Sequence, residues 1–220
     1  MGALKITGQS APPTVTASDK GTLYYDSDTN KLRHYNGSAW ADVSPAAAAL
    51  TSADLPAGSV LQVLQTVKDD KQEAAATGGA VNWTDITGLL QAITPSSTSN
   101  KILINISVTY GSLTYAGYMR IQAKTASGAY ADLAVGDNTG TTGQSKVTMG
   151  AIGGSVDAAE LSTASAMFLD SPNTLSERTY KVQFTSRHTD TMTINYAQSN
   201  TNSDYIGVGI SSITLMEIAG

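Results

Sequence analysis

The chain has 220 residues, of which 14% are charged, and a formal net charge of -5; it offers no basic field to a phosphate backbone or an anionic lipid surface, which excludes nucleic acid as a partner. Cysteine is absent, so disulfide staples, thiolate metal sites and cysteine nucleophiles are excluded together, and stability has to come from packing or association. No apolar run approaches the ~18 residues of a spanning helix, and residues 1–13 lack the basic and then apolar regions of a signal peptide, so neither membrane insertion nor export is expected.

Residues 4–43 read as strand, turn, strand, turn, strand. The apolar positions are Leu23, Tyr25, Leu32, Tyr35, Trp40 and Val43. Residues 27–30 and the pair Asn36 and Gly37 supply the corners, because Asn and Asp bond their own backbone and tolerate left-handed conformations. So thin a core is marginal alone, and Tyr25, Leu32, Tyr35 and Trp40 are the expected docking residues of this module toward another protein. The module is expected over residues 1–45. Residues 46–56, alanine-rich with a proline near each end of the segment 44–56, are expected as a short helix or linker.

Residues 57–220 are a succession of strands. Candidates fall at 60–67, 86–94, 101–108, 118–124, 130–135, 164–169, 180–184, 192–196 and 210–218. The clearest is 101–108, where Ile102, Ile104, Ile106 and Val108 share one parity. In the last strand apolar residues fall on both parities, which places Ile213, Leu215, Met216 and Ile218 at a sheet centre or a subunit interface. Roughly eight to ten strands suit a two-sheet jelly-roll sandwich, so the expected fold is all-β: a small hairpin or meander module followed by that sandwich. The polar segments 136–143 and 198–204 read as variable loops, with Asp137, Asn138, Asn200 and Asn202 as candidate receptor contacts.

Signals for chemistry are sparse. His34 and His188 have no companion at a metal-ligand spacing, and no serine sits in a G-x-S-x-G elbow. Asp26-x-Asp28-x-Asn30 begins like a calcium loop, but Lys31 stands where the turn glycine belongs and Gly37 where the bidentate glutamate belongs. Glu160, Asp170, Glu177 and Asp132 are the carboxylates a glycan-degrading enzyme would have to pair. Tyr110, Tyr115, Tyr118 and Tyr130 serve strand faces as readily as sugar stacking. No cofactor and no metal site is expected.

Two parts of the sequence resemble known material. GTLYYDSDTNKLRHYNGSAWADV, residues 21–43, resembles a short hairpin module of bacteriophage tail-fibre and other virion proteins, especially those of marine and cyanobacterial phages. The remainder resembles a second phage-associated family through GSVLQV (58–63), ITPSSTSNKILI (93–104), FLDSP (168–172), TYKV (179–182) and SITLMEI (212–218), in that order. The resemblance implies a homotrimeric virion structural protein assembled in the bacterial host cytoplasm, docked on another virion protein through its first module. It implies no enzymatic activity. A tail fibre or tail-tip subunit that contacts a host surface glycan or protein is the leading expectation. The chain has no shaft repeat or coiled coil, which favours a compact appendage, so a capsid decoration or head-fibre protein without a receptor is the alternative. A glycan depolymerase is the remote third.

Overall fold

The computed structural model describes residues 8–43, 54–74, 81–111, 117–137, 145–151, 158–186, 191–199 and 201–220. Most of the expected linker and the turn expected at 188–190 lie outside them. The chain divides into two compact units, Met1–Thr51 and Ser52–Gly220.

In the first unit β1 (Gly8–Gln9), β2 (Leu23–Asp26), β3 (Lys31–Tyr35) and β4 (Trp40–Asp42) form one sheet in that order. The expected meander is β2 to β4; β1 adds a parallel edge strand, with Gly8 opposite Tyr25. Asp26 makes the first corner, its Oδ1 accepting the backbone N–H groups of Asp28 and Thr29, both at 3.1 Å. Asn30 closes that corner at φ 60, a conformation its short amide side chain tolerates. At the second corner the Asn36 Oδ1 accepts from the backbones of Ser38 and Ala39, both at 2.9 Å. Gly37 there has φ 101. The strands stop at Tyr35 and Trp40, so the connection spans residues 36–39, with the Asn36 N–H to Ala39 O bond of 3.0 Å enclosing Gly37 and Ser38 rather than the expected pair Asn36 and Gly37.

The second unit holds β5 (Val60–Lys68), β6 (Gln72–Ala74), β7 (Thr84–Ile93), β8 (Lys101–Gly111), β9 (Gly117–Thr125), β10 (Ala131–Leu133), β11 (Met149–Ala151), β12 (Leu161–Asp170), β13 (Arg178–Ser186), β14 (Met192–Ile194) and β15 (Ser211–Ile218). Three pairs of strands share a lane: β5 and β6 run along β15 and β14, which themselves share one, and β10 and β11 both lie along β9. One sheet therefore has the lanes β5/β6, β15/β14, β8 and β12, and the other has β10/β11, β9, β13 and β7. The antiparallel pairs are nested. The first lane pairs with the last, β7 with β13, β8 with β12, and β9 with β10/β11. A long hairpin rolled up in this way is a jelly roll.

Alternation puts the core between the two sheets. Ile102, Ile104, Ile106 and Val108 of β8 face Tyr180, Val182 and Phe184 of β13, together with Met119 and Ile121 of β9, and all are fully buried. Strand β7 breaks the alternation: Ile86 and Leu89 are both buried although three positions apart. Gly88 between them has φ 82, and the register against β13 shifts there. A bulge of this kind lets both side chains point inward.

Candidate functional site

The two outer faces of the sandwich differ in chemistry, and each is set by the parity opposite to the core. On the β5-β15-β8-β12 sheet the cross-strand row Val63, Met216, Leu103 and Leu169 is wholly apolar. Val60, Val63, Val67, Met167 and Leu169 are 47–67% exposed. The polar positions between them are Gln65, Thr214, Asn105, Ser107, Ser212 and Ser165. Among the described residues of these strands, Lys101 is the only charged side chain at an outward position.

One end of this face is crossed by residues 196–199 and 201–210, which leave the sheet between β14 and β15. Asn195, at φ 66, anchors the departure. Its Nδ2 donates to Lys68 O at 2.9 Å and Asp70 O at 3.0 Å, and its Oδ1 accepts from Ser211 Oγ at 2.6 Å. The breaks in the two neighbouring lanes are thereby tied together. Lys68, 2% exposed, reaches out to Asp70 at 2.7 Å; the ammonium beside Asp70 holds that carboxyl below its ordinary range against the opposing effect of burial. The segment is clipped at its return by Thr109 Oγ1 donating to Ile210 O at 2.8 Å. Between it and Lys71 lies a pocket of about 290 Å³ lined by Lys71, Thr201, Asn202, Ser203, Ile206 and Val208. Lys71 Nζ sits 5.2 Å from the Tyr196 ring centroid, and Tyr196 OH donates to Glu73 at 3.0 Å. Burial and the Glu73 carboxylate push the Tyr196 hydroxyl up to about 12.

Gly111 is where this segment meets β8. A Cβ there would lie 2.1 Å from Thr193 Oγ1 and 2.6 Å from Tyr196 O. Gly111→Ala is therefore expected to cost about 1–3 kcal/mol, read as a lowered thermal midpoint in circular dichroism.

The outer face of the other sheet is a charged network. Lys181 Nζ donates to both Asp85 oxygens, at 2.7 and 3.0 Å, and Gln183 donates to Asp85 at 2.6 Å. Burial alone would raise the Asp85 carboxyl; the Lys181 and Gln183 donors outweigh it and hold it low. Arg120 bonds Gln183 at 2.8 Å and Asp132 at 3.1 Å. The aromatic rings here are already occupied: Arg120 lies 4.4 Å over Trp83, and Lys181 lies 4.1 Å over Tyr130.

Near the entry to β5, Glu217 is 1% exposed. Its Oε1 accepts from Ser96 N (2.6 Å), Ser96 Oγ (2.8 Å) and Asn100 Nδ2 (2.6 Å), and its Oε2 from Gln62 Nε2 (2.7 Å). Burial works to raise this carboxyl, but the donors, Asn100 foremost, hold it below the ordinary glutamate range. A pocket of about 310 Å³ opens beside it, lined by Ser96, Ser97, Ser99 and Asn100 among others.

The residues singled out from sequence land as follows. Tyr25 and Leu32 are cross-strand neighbours on one face of the N-terminal sheet. Tyr35 and Trp40 lie on the opposite face around Tyr24, with Tyr24 and Trp40 edge to face at 4.7 Å. Sequence reading missed Tyr24, which is 4% exposed; Tyr24 and Tyr25 are adjacent on opposite parities, and nothing in the sequence says which of the two is covered. Ile213 and Leu215 are fully buried in the chain's own core, which removes them from the expected interface set. Met216 and Ile218 stay at outward positions of β15 and are half-buried. Asp137 is exposed, with Lys146 3.9 Å away; Asn202 lines the pocket beside Lys71. Asn138 and Asn200 lie outside the described residues. Of the carboxylates, Asp132 is on β10 and Asp170 on β12, in different sheets. Asp170 is taken by Tyr180 OH at 2.8 Å and Arg178 at 3.1 Å. Burial and the Asp170 charge push the Tyr180 hydroxyl far up.

These observations define a jelly-roll sandwich with one charged and one nearly uncharged outer face. No family model and no curated protein matches the chain. Among solved structures it is distantly similar to a structure of infectious bursal disease virus, Gx strain, with 9% identity, a TM-score of 0.35, and 72% of this chain and 42% of that one covered. It is similar also to the VP2 subviral particle of infectious bursal disease virus, with 10% identity, a TM-score of 0.31, and coverage of 72% and 38%. The chain thus spans less than half the length of these chains, and likeness at this level carries no argument about function.

Proposed function

We propose that the chain is a structural subunit of a bacteriophage virion, a self-associating tail-fibre or tail-tip protein whose N-terminal module docks on another virion protein. The observation that carries this reading is where the phage-like sequence stretches meet. Residues 58–63, 93–104 and 212–218 supply Gln62, Ser96, Asn100 and Glu217, which form one hydrogen-bonded cluster. Residues 168–172 and 179–182 supply Asp170 and Tyr180, which form a second. Stretches far apart in the chain are thus the polar locks of a single fold, so their ordered resemblance speaks for a shared architecture rather than chance matches of single strands. Jelly rolls recur in viral capsid and lectin domains, although fold by itself does not fix function.

The segment 196–210, standing off a rigid sheet, is the surface proposed to contact a host glycan or protein. Capsid decoration is the second reading, favoured by the flat apolar outer face, which suits lying on another protein. Immunogold electron microscopy of purified virions separates the two. Label at the tail supports the fibre or tip assignment, and label spread over the head replaces it with decoration.

A further inference from the structure

We propose that the outer face of the β5-β15-β8-β12 sheet is covered by a second copy of this chain, packed against the same face of its neighbour. The inference rests on the reading of the chain as a self-associating subunit and assigns the surface by which it associates.

Val60, Val63, Val67, Met167 and Leu169 are 47–67% exposed on one surface, and the apolar row through Met216 and Leu103 joins its two edges. An apolar row crossing four strands, with further exposed valine and methionine side chains among small uncharged polar ones, is more apolar surface than a solitary protein usually leaves open and marks an interface.

Charge identifies the occupant. The chain has a net charge of -5, so copies repel one another unless the surfaces that meet are neutral. Among the described residues the strands β5, β15, β8 and β12 carry Lys101 alone at outward positions, and the short β6 of the same sheet adds Glu73, whereas the opposite face carries Asp85, Arg120, Lys124, Asp132 and Lys181. The neutral apolar face would strip water from those charges if it met them, at a cost no partner group returns. Its chemically matching surface is therefore itself.

The area is sufficient. Four lanes about 4.8 Å apart, each about eight residues long at about 3.3 Å per residue, give about 500 Å² in plan. Two such faces remove about 1,000 Å², the size at which a specific interface begins. Sheets stack face to face about 10 Å apart, and contact between identical patches is two-fold. A three-fold assembly, which the phage resemblance implies, would have to use a different surface.

The test is the mass of the full chain by light scattering after gel filtration, for the natural sequence and for a Val63→Lys, Met167→Lys double variant. Both positions are more than half exposed, so the fold tolerates them, and circular dichroism melts confirm it. The expected result is twice the 22.8 kDa chain mass for the natural sequence and a single chain for the variant. Because the chain has no cysteine, Thr214→Cys near the centre of the face gives a second readout. Its thiol is expected to react slowly with a maleimide in the dimer and rapidly when the two lysines are also present. A three-chain mass unaffected by the lysines overturns this face and leaves the trimer standing. A natural sequence that is monomeric at micromolar concentration overturns both the face and the self-association it rests on.

Discussion

Leu215→Asp is expected to abolish folding of the larger unit. Leu215 is fully buried in β15, paired with Ile104 of β8 on one side and Leu64 of β5 on the other. Truncation to alanine alone would cost about 2–5 kcal/mol in such a core. An aspartate adds the cost of an unpaired buried carboxylate, for which the surrounding isoleucines offer no donor. The sum is comparable with the whole stability of a domain, about 5–15 kcal/mol. The variant should appear in inclusion bodies, and any soluble fraction should lack the cooperative melt of the natural sequence. Leu215→Ala is the graded control, and is expected to stay folded with a lower midpoint. A soluble Leu215→Asp protein with an unchanged melt would mean that β15 is not the central strand described here.

Glu217→Gln is expected to cost about 2–4 kcal/mol near neutral pH, because hydrogen bonds to a charged acceptor are worth about 1.5–3 kcal/mol each and the amide cannot accept from every donor now aimed at it. For a domain of this size that corresponds to a drop of roughly 5–15 °C in thermal midpoint. The pH dependence follows from the same cluster. The carboxyl titrates lower in the folded protein than in the unfolded chain, whose value is near 4.5. Its stabilisation is therefore present above pH 4.5 and is lost as the pH falls through the folded value. The natural sequence should lose stability on that acid limb, and Glu217→Gln should lose less of it. Parallel acid limbs in the two proteins would contradict the account of Glu217 as an ionised buried acceptor.

Much of this architecture was legible in the sequence because one rule dominates it. Alternation in β8 gave strand, face and burial together, and every residue on the inward parity of β8 from Ile102 to Val108 is in the core. Where the rule is interrupted, the reading failed. β6 and β11 are three-residue strands, too short to show a period; β11 lies along the edge of the longer β9, and β6 pairs with the equally short β14. Gly88 hides the bulge that turns both Ile86 and Leu89 inward.

Strand β15 shows the limit most clearly. Apolar residues on both parities read as a sheet centre or an interface without saying which; the strand is central between β5 and β8, with Ile213 and Leu215 in the chain's own core and Met216 and Ile218 at outward positions. Composition within one strand does not distinguish a neighbouring sheet from a neighbouring subunit. Glu217 was equally opaque: it continues the parity of Ile213 and Leu215, and only the return of residues 96–100 from elsewhere in the chain makes a buried carboxylate tolerable there. The docking set Tyr25, Leu32, Tyr35 and Trp40 divides between two faces for a related reason. Residues read as one apolar inventory alternate sides once the strands pair.

The central claim is the proposal that this chain is built into a virion, and quantitative mass spectrometry of gradient-purified phage particles from cultures that express it tests that claim most directly. The account predicts that the chain co-purifies with infectious particles at a fixed, whole-number ratio to the major capsid protein. Its absence from such particles, with abundance confined to the infected-cell lysate, would contradict the structural role and return the jelly roll to the search for a function.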